Sequence, residues 1–94
     1  MSQNDDKALS LAPNDPYILD SMGWVLFRLG KSEESLGKLE QAYRLRADPE
    51  IAAHLGEVLW VLGRRDEARK VWAEAQKKTP GNEVLGAVVR KFAP

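Results

Sequence analysis

The sequence predicts an all-α fold, a solenoid of antiparallel helix pairs closed by a C-terminal capping helix. Two observations carry that expectation. The chain repeats itself at an offset of 33–34 residues, and apolar residues within each copy recur at helical spacing. Asp15-Pro16-Tyr17-Ile18-Leu19-Asp20-Ser21-Met22-Gly23 lies over Asp48-Pro49-Glu50-Ile51-Ala52-Ala53-His54-Leu55-Gly56. The register continues through Leu29-Gly30-Lys31 over Leu62-Gly63-Arg64, then Glu34 over Glu67 and Ala42 over Ala75. A weaker third copy opens at Asn82-Glu83-Val84-Leu85. No segment between turn signals alternates apolar and polar residues as a half-buried strand does.

The elements follow in order. Residues 1–13 read as the remnant of a preceding copy's second helix: Ala8-Leu9-Ser10-Leu11-Ala12-Pro13 has the form of a closing turn, and Ala8 stands 34 residues before Ala42. Residues 15–47 form the first full unit and 48–81 the second. In each, an aspartate (Asp15, Asp48) can cap the first helix, with Pro16 or Pro49 at its first position, where a missing N–H costs nothing. Ile18, Met22, Val25 and Leu29 mark the buried side of one first helix, and Ile51, Leu55, Val58 and Leu62 that of the other. Gly30 and Gly63 end these helices. The second helices open on Glu33-Glu34 and Asp66-Glu67, which favour the positive end of the helix dipole. They carry Leu36, Leu39 and Tyr43 in one unit, Ala68, Trp72 and Ala75 in the other.

Gly23 and Gly56 fall mid-helix, where glycine costs about 0.5–1 kcal/mol relative to alanine. That cost implies close approach of the paired helix, with the small residues Ser35 and Ala68 expected opposite. Residues 82–94 form the capping helix, with Val84, Leu85, Val88 and Phe92 expected inward. The chain reads as the C-terminal end of a longer solenoid. The apolar side of Leu9, Ile18 and Leu19 is then uncovered, and weak self-association through that N-terminal face is expected.

Composition narrows the function classes. Ninety-four residues make one small domain, with 44% hydrophobic and 30% charged residues, which is globular rather than disordered composition. Fourteen basic residues balance fourteen acidic ones, so no overall field draws nucleic acid or an anionic membrane. The absence of cysteine excludes disulfides, thiolate metal sites and a cysteine nucleophile. The longest apolar runs, such as Trp24-Val25-Leu26-Phe27, are too short to insert into a membrane, and the N-terminal residues are polar and acidic, without the pattern of a signal peptide.

At this point the residues resemble the tetratricopeptide repeats (TPR), whose pattern is W-x2-L-G-x2-Y, then A-x3-F, A and P. Leu-Gly falls on Met22-Gly23 and Leu55-Gly56, and the following Tyr on Leu26 and Leu59. The small Ala falls on Ser35 and Ala68, the Phe on Leu39 and Trp72, and the later Ala on Ala42 and Ala75. The closing Pro matches Pro80, and Pro13 in the partial copy. Leu19 and Ala52 replace the first Trp, and Ala47 stands where the first unit should have its Pro. The stretch from Ile18 to Trp72, above all residues 48–60, further resembles the closing repeats of proteobacterial outer-membrane TPR lipoproteins, some of which act as adaptors for a periplasmic processing protease. That resemblance implies a place on the periplasmic side of the outer membrane; without it, the cytoplasm is the default.

The family resemblance implies a non-catalytic scaffold that binds a protein or peptide segment on a concave face formed by the first helices. It puts Tyr17, Asp20, Trp24, Phe27 and Arg28 on that face, joined by Glu50, Ala53, Glu57, Trp60 and Val61. Aromatic residues can anchor a partner, and Asp20, Glu50 and Glu57 outnumber Arg28, so a partner segment should be apolar and basic. The TPRs that clamp a terminal carboxylate use Lys and Asn where this chain has Asp20, Trp24, Ala53 and Glu57, which argues against that mode. A purely structural spacer within a longer solenoid is the alternative.

A third reading is a helical metal-binding or enzymatic protein using Glu50, His54 and Glu57, which share a helix face. It needs further ligands or a nucleophile that the sequence does not offer; no catalytic residue, metal or cofactor is expected. Charge is also segregated. Residues 48–63 hold Asp48, Glu50 and Glu57 with no Lys or Arg, whereas 64–78 hold Arg64, Arg65, Arg69, Lys70, Lys77 and Lys78 against Asp66, Glu67 and Glu74. With Trp72 assigned to the core, the basic stretch lacks the exposed aromatics of a nucleic-acid surface and reads as a solvated convex face.

Overall fold

The computed structural model describes residues 15–94. They form five helices: α1 (Pro16–Arg28), α2 (Ser32–Leu45), α3 (Pro49–Val61), α4 (Arg65–Lys78) and α5 (Glu83–Phe92). No strand occurs among the described residues. The expected helical remnant at 1–13 lies outside them. α1 packs on α2 and α3 on α4, short turns folding each pair back on itself, and α2, α1 and α5 all pack on α3 as well. The result is an elongated body of 46 × 25 × 17 Å, as stacked helix pairs require.

Local chemistry sets the helix limits. Asp15 accepts hydrogen bonds from the backbone N–H groups of Tyr17 (2.9 Å) and Ile18 (3.2 Å), and Asp48 accepts from Glu50 (2.8 Å) and Ile51 (3.3 Å). Both caps precede a proline at the start of the helix. α1 and α3 end in the same motif. Gly30 (φ 83°) donates to the Phe27 carbonyl at 3.0 Å and Lys31 to Leu26 at 2.8 Å; Gly63 (φ 86°) and Arg64 repeat both bonds at the same lengths to Trp60 and Leu59. The left-handed φ at these two positions is why glycine stands there. Asn82 caps α5 by accepting from the Leu85 N–H at 2.9 Å.

The mid-helix glycines are contact points, but not with the residues expected. Ser35 and Ala68 are both fully buried, yet the side chains lying on Gly23 and Gly56 are Leu39 and Trp72, one helical turn further along. A larger side chain laid across bare backbone fills the crossing without separating the helices. A Cβ at Gly23 would sit 2.8 Å from Leu39 Cγ, and one at Gly56 would fall within the Trp72 indole. The main core gathers around Trp72 from Leu36, Leu39, Leu55, Val58, Leu59 and Leu85. The Trp72 indole N–H points at the Ala53 carbonyl, 3.5 Å away.

Burial is uneven along the chain. Seven residues of α3 are buried but only Leu19 and Gly23 of α1. Ile51 and Val58 have no exposure, whereas their counterparts one period earlier, Ile18 and Val25, are 42% and 58% exposed. α2 covers that side of α3; among the described residues nothing covers the equivalent side of α1, where Ser21, Met22, Val25 and Leu26 line a cavity of about 390 Å³. Leu19, expected to be uncovered with Ile18, is instead buried with Ala42 and Ile51. Leu9 lies outside the described residues. On α5 the expected inward face is corrected by one position: Val84 is exposed, and Val89 packs on the core beside Leu85, Val88 and Phe92. Residues 85, 88, 89 and 92 recur at helical spacing and form the single stripe that α5 turns to the core.

One polar group in this interior has no partner. The Ser35 hydroxyl is buried and makes no hydrogen bond, while the second repeat has Ala68 at the same place. Ser35→Ala is expected to raise the unfolding free energy by about 0.5–1 kcal/mol, because it removes an unpaired hydroxyl and fits a position where alanine already packs. Urea melts of the two proteins measure this; a loss of stability would show that the hydroxyl is bonded.

Candidate functional site

The residues expected on the first-helix face form a ladder along the seam between α1 and α3. At one end the Tyr17 hydroxyl donates to Asp48 Oδ2 at 3.0 Å, while Oδ1 of the same carboxylate caps α3. That hydrogen bond, ahead of burial, raises the Tyr17 pKa above the ordinary tyrosine value. The Arg46 guanidinium stands 5.8 Å from the Tyr17 ring centroid. One turn along, Asp20 Oδ1 is 2.8 Å from His54 Nδ1, and both side chains are half-buried. In the next turn the Trp24 indole stacks on the His54 ring, with centroids 4.1 Å apart and planes at 23°. Phe27 follows, tilted against Trp24 at 5.1 Å. The spacing of 17, 20, 24 and 27 puts one α1 side chain in each turn on this seam.

Three charged members of the expected face are free. Arg28 and Glu50 are exposed and Glu57 is half-buried, and none forms an ion pair among the described residues. Glu57 and Glu50 therefore leave the seam with negative charge that no described residue neutralises in an ion pair. Ala53 is fully buried and contributes shape rather than surface.

Trp60 stands apart. It packs against Trp72 (5.8 Å between centroids) and Phe92 (6.1 Å), with Arg65 and Arg69 over its ring. The expected set thus divides into a seam from Tyr17 to Phe27 with Glu50 and Glu57, and an aromatic cluster around Trp60 at the far end of α3.

His54 is the residue whose role sequence reasoning missed. Grouped with Glu50 and Glu57 on one helix, it suggested a metal or acid/base cluster; in the structure its imidazole turns to Asp20 and Trp24 of the neighbouring repeat. The available signal was the period, because polar residues about one period apart face each other across the first helices of successive repeats. Tyr17 with Asp48 and Asp20 with His54 both obey it. Among the described residues, no group of three or more carboxylate or imidazole side chains is placed to share an ion. No described helix is long and apolar enough to cross a membrane.

No family model matches the chain. A TPR repeat-containing protein of Pseudomonas aeruginosa is 53% identical over 51 residues, which is 54% of this chain and 9% of that protein. A small glutamine-rich tetratricopeptide repeat-containing protein of Mycosarcoma maydis is 28% identical over 82 residues, covering 84% of this chain and 23% of that protein. The chain thus spans less than a quarter of the length of either relative.

Proposed function

We infer from its repeats and its relatives that the chain is built of tetratricopeptide repeats, a protein–protein interaction module, and from that premise we propose that it is a non-catalytic scaffold taking an apolar, basic segment of a protein partner along the α1–α3 seam. The observation that carries this reading is the Trp24–His54–Asp20 stack beside the unpaired carboxylates of Glu50 and Glu57. A ring held by stacking and by a hydrogen bond beneath it loses little freedom on binding. Carboxylates without an internal partner stay available to lysine or arginine. A structural spacer accounts for Tyr17 and Asp20, which are bonded within the chain, and has no use for Glu50 and Glu57.

Titration with peptides that combine aliphatic and basic residues tests the proposal. Trp24→Ala is expected to cost about 2 kcal/mol or more of binding. Glu57→Lys should act mainly by slowing association. Wild-type affinity should fall with added salt, since exposed charges are screened beyond roughly 8–10 Å at physiological ionic strength. Melts of both variants run in parallel separate lost binding from lost fold. Equal affinity for wild type and both variants would sink the scaffold reading of this seam and favour the spacer.

A further inference from the structure

The basic stretch that follows α3 lies against the Trp60 cluster. Arg65 and Arg69 hold their guanidinium carbons 4.8 and 5.0 Å from the centroid of Trp60. Trp72 and Phe92 hold that ring in turn, and Lys91 places its ammonium 5.2 Å from the Phe92 centroid. Arg65 has no ion-pair partner among the described residues, and Arg69 has only a 3.4 Å contact with the almost fully exposed Asp66. Arg64, next in sequence, shows the contrast: its two bonds to Glu67, at 2.6 and 2.8 Å, occupy it and hold the Glu67 carboxyl below its usual range.

A guanidinium lying on an aromatic face keeps its in-plane N–H donors at the edge. The Trp60 ring thus holds both cations while taking up none of their hydrogen-bond donors. Beside Arg69 a cavity of about 180 Å³ opens between α4 and α5, with Trp72, Ala73, Val89 and Ala93 among its walls. Cationic donors next to a cavity walled by these apolar residues and by Gln76 fit a carboxylate adjoining an aliphatic side chain.

We propose that this patch is a second docking surface, and that its partner is an acidic segment of a protein, with a glutamate or aspartate on the Arg65 and Arg69 edges and a neighbouring aliphatic side chain in the cavity. Its charge preference is opposite to that of the α1–α3 seam, and it stands whether or not the seam binds. Nucleic acid is the weaker fit. Trp60 is already engaged by two guanidinium groups and two rings, so no free platform remains for a base to stack on.

The test is an NMR titration of the full chain with a synthetic peptide in which two glutamates flank a leucine. Its glutamine counterpart, inorganic sulfate and oligodeoxythymidylate are run beside it. The glutamate peptide should shift the Trp60 indole and the Arg65 and Arg69 side-chain signals. Binding should weaken about tenfold with the glutamine peptide, and as much in the Arg65→Gln/Arg69→Gln variant. The shifts should centre on α4, α5 and the end of α3, which separates this surface from the seam. Equal binding of the two peptides, a match by sulfate alone, tighter binding of the oligonucleotide, or shifts confined to α1 would each overturn the proposal. The peptide comparison on the unmodified chain decides the matter even if the double variant loses its fold.

Discussion

Replacing Gly56 with alanine is expected to lower the unfolding free energy by about 3 kcal/mol, although alanine is the better helix former by roughly 0.8–1 kcal/mol. The added methyl would fall within the Trp72 indole, a rigid ring that is itself fully packed. Either the ring or the α3–α4 pair must move. Two other glycines calibrate the effect. At Gly23 the obstacle is Leu39 Cγ at 2.8 Å, on a side chain that can rotate, so the loss should be smaller. At Gly37, inside α2, nothing lies within 4 Å of an added Cβ, and alanine should stabilise. Urea melts should therefore order the variants Gly56→Ala, Gly23→Ala, Gly37→Ala from least to most stable. A Gly56→Ala protein as stable as wild type would mean that the helices do not cross at this point.

Trp72→Ala is expected to cost about 3–5 kcal/mol, through lost burial and the cavity left among Leu39, Leu55 and Phe92. A domain of this size holds little more than that in reserve, so the variant should be largely unfolded at room temperature by circular dichroism. Trp72→Leu should lie between, because the first repeat uses Leu39 at the same place. The two sites should also be strongly coupled: with Leu at 72, Gly56→Ala should cost much less than in the wild-type background, the mark of two groups in contact. Additive losses would contradict the packing of the indole on the glycine.

What the sequence made legible was whatever its own neighbours decide. Asp15 and Asp48 cap because the acceptor and the orphan N–H groups lie within three residues of each other. Gly30 and Gly63 end their helices because only a left-handed residue completes those bonds. The Gly23 and Gly56 contacts were legible as close approaches but not in their partners. The angle at which two helices cross decides whether a residue or its successor one turn later meets the glycine. The site was half legible for the same reason. Tyr17, Asp20, Trp24 and Phe27 share a helix face by spacing alone, whereas the Asp20–His54 pairing depends on how far one repeat is rotated against the next. Trp60 continues the α3 pattern in sequence, yet α5 arrives beside it and draws it into a cluster with Phe92. Val84 and Val89 exchanged roles because the direction from which α5 meets the array is a tertiary fact.

α3 touches every other described helix and holds the largest share of buried residues. The repeat is therefore the period of the sequence without being the unit of cooperativity. A cut between Ala47 and Asp48 would leave Leu19 and Ala42 without Ile51 on one side, and α3 without its α2 cover on the other. Neither half would carry a closed core. Folding free energy here belongs to the interfaces between successive pairs as much as to the pairs themselves. Two copies of one motif joined in this way are expected to share one melting transition, with helix content and tryptophan fluorescence lost together on heating.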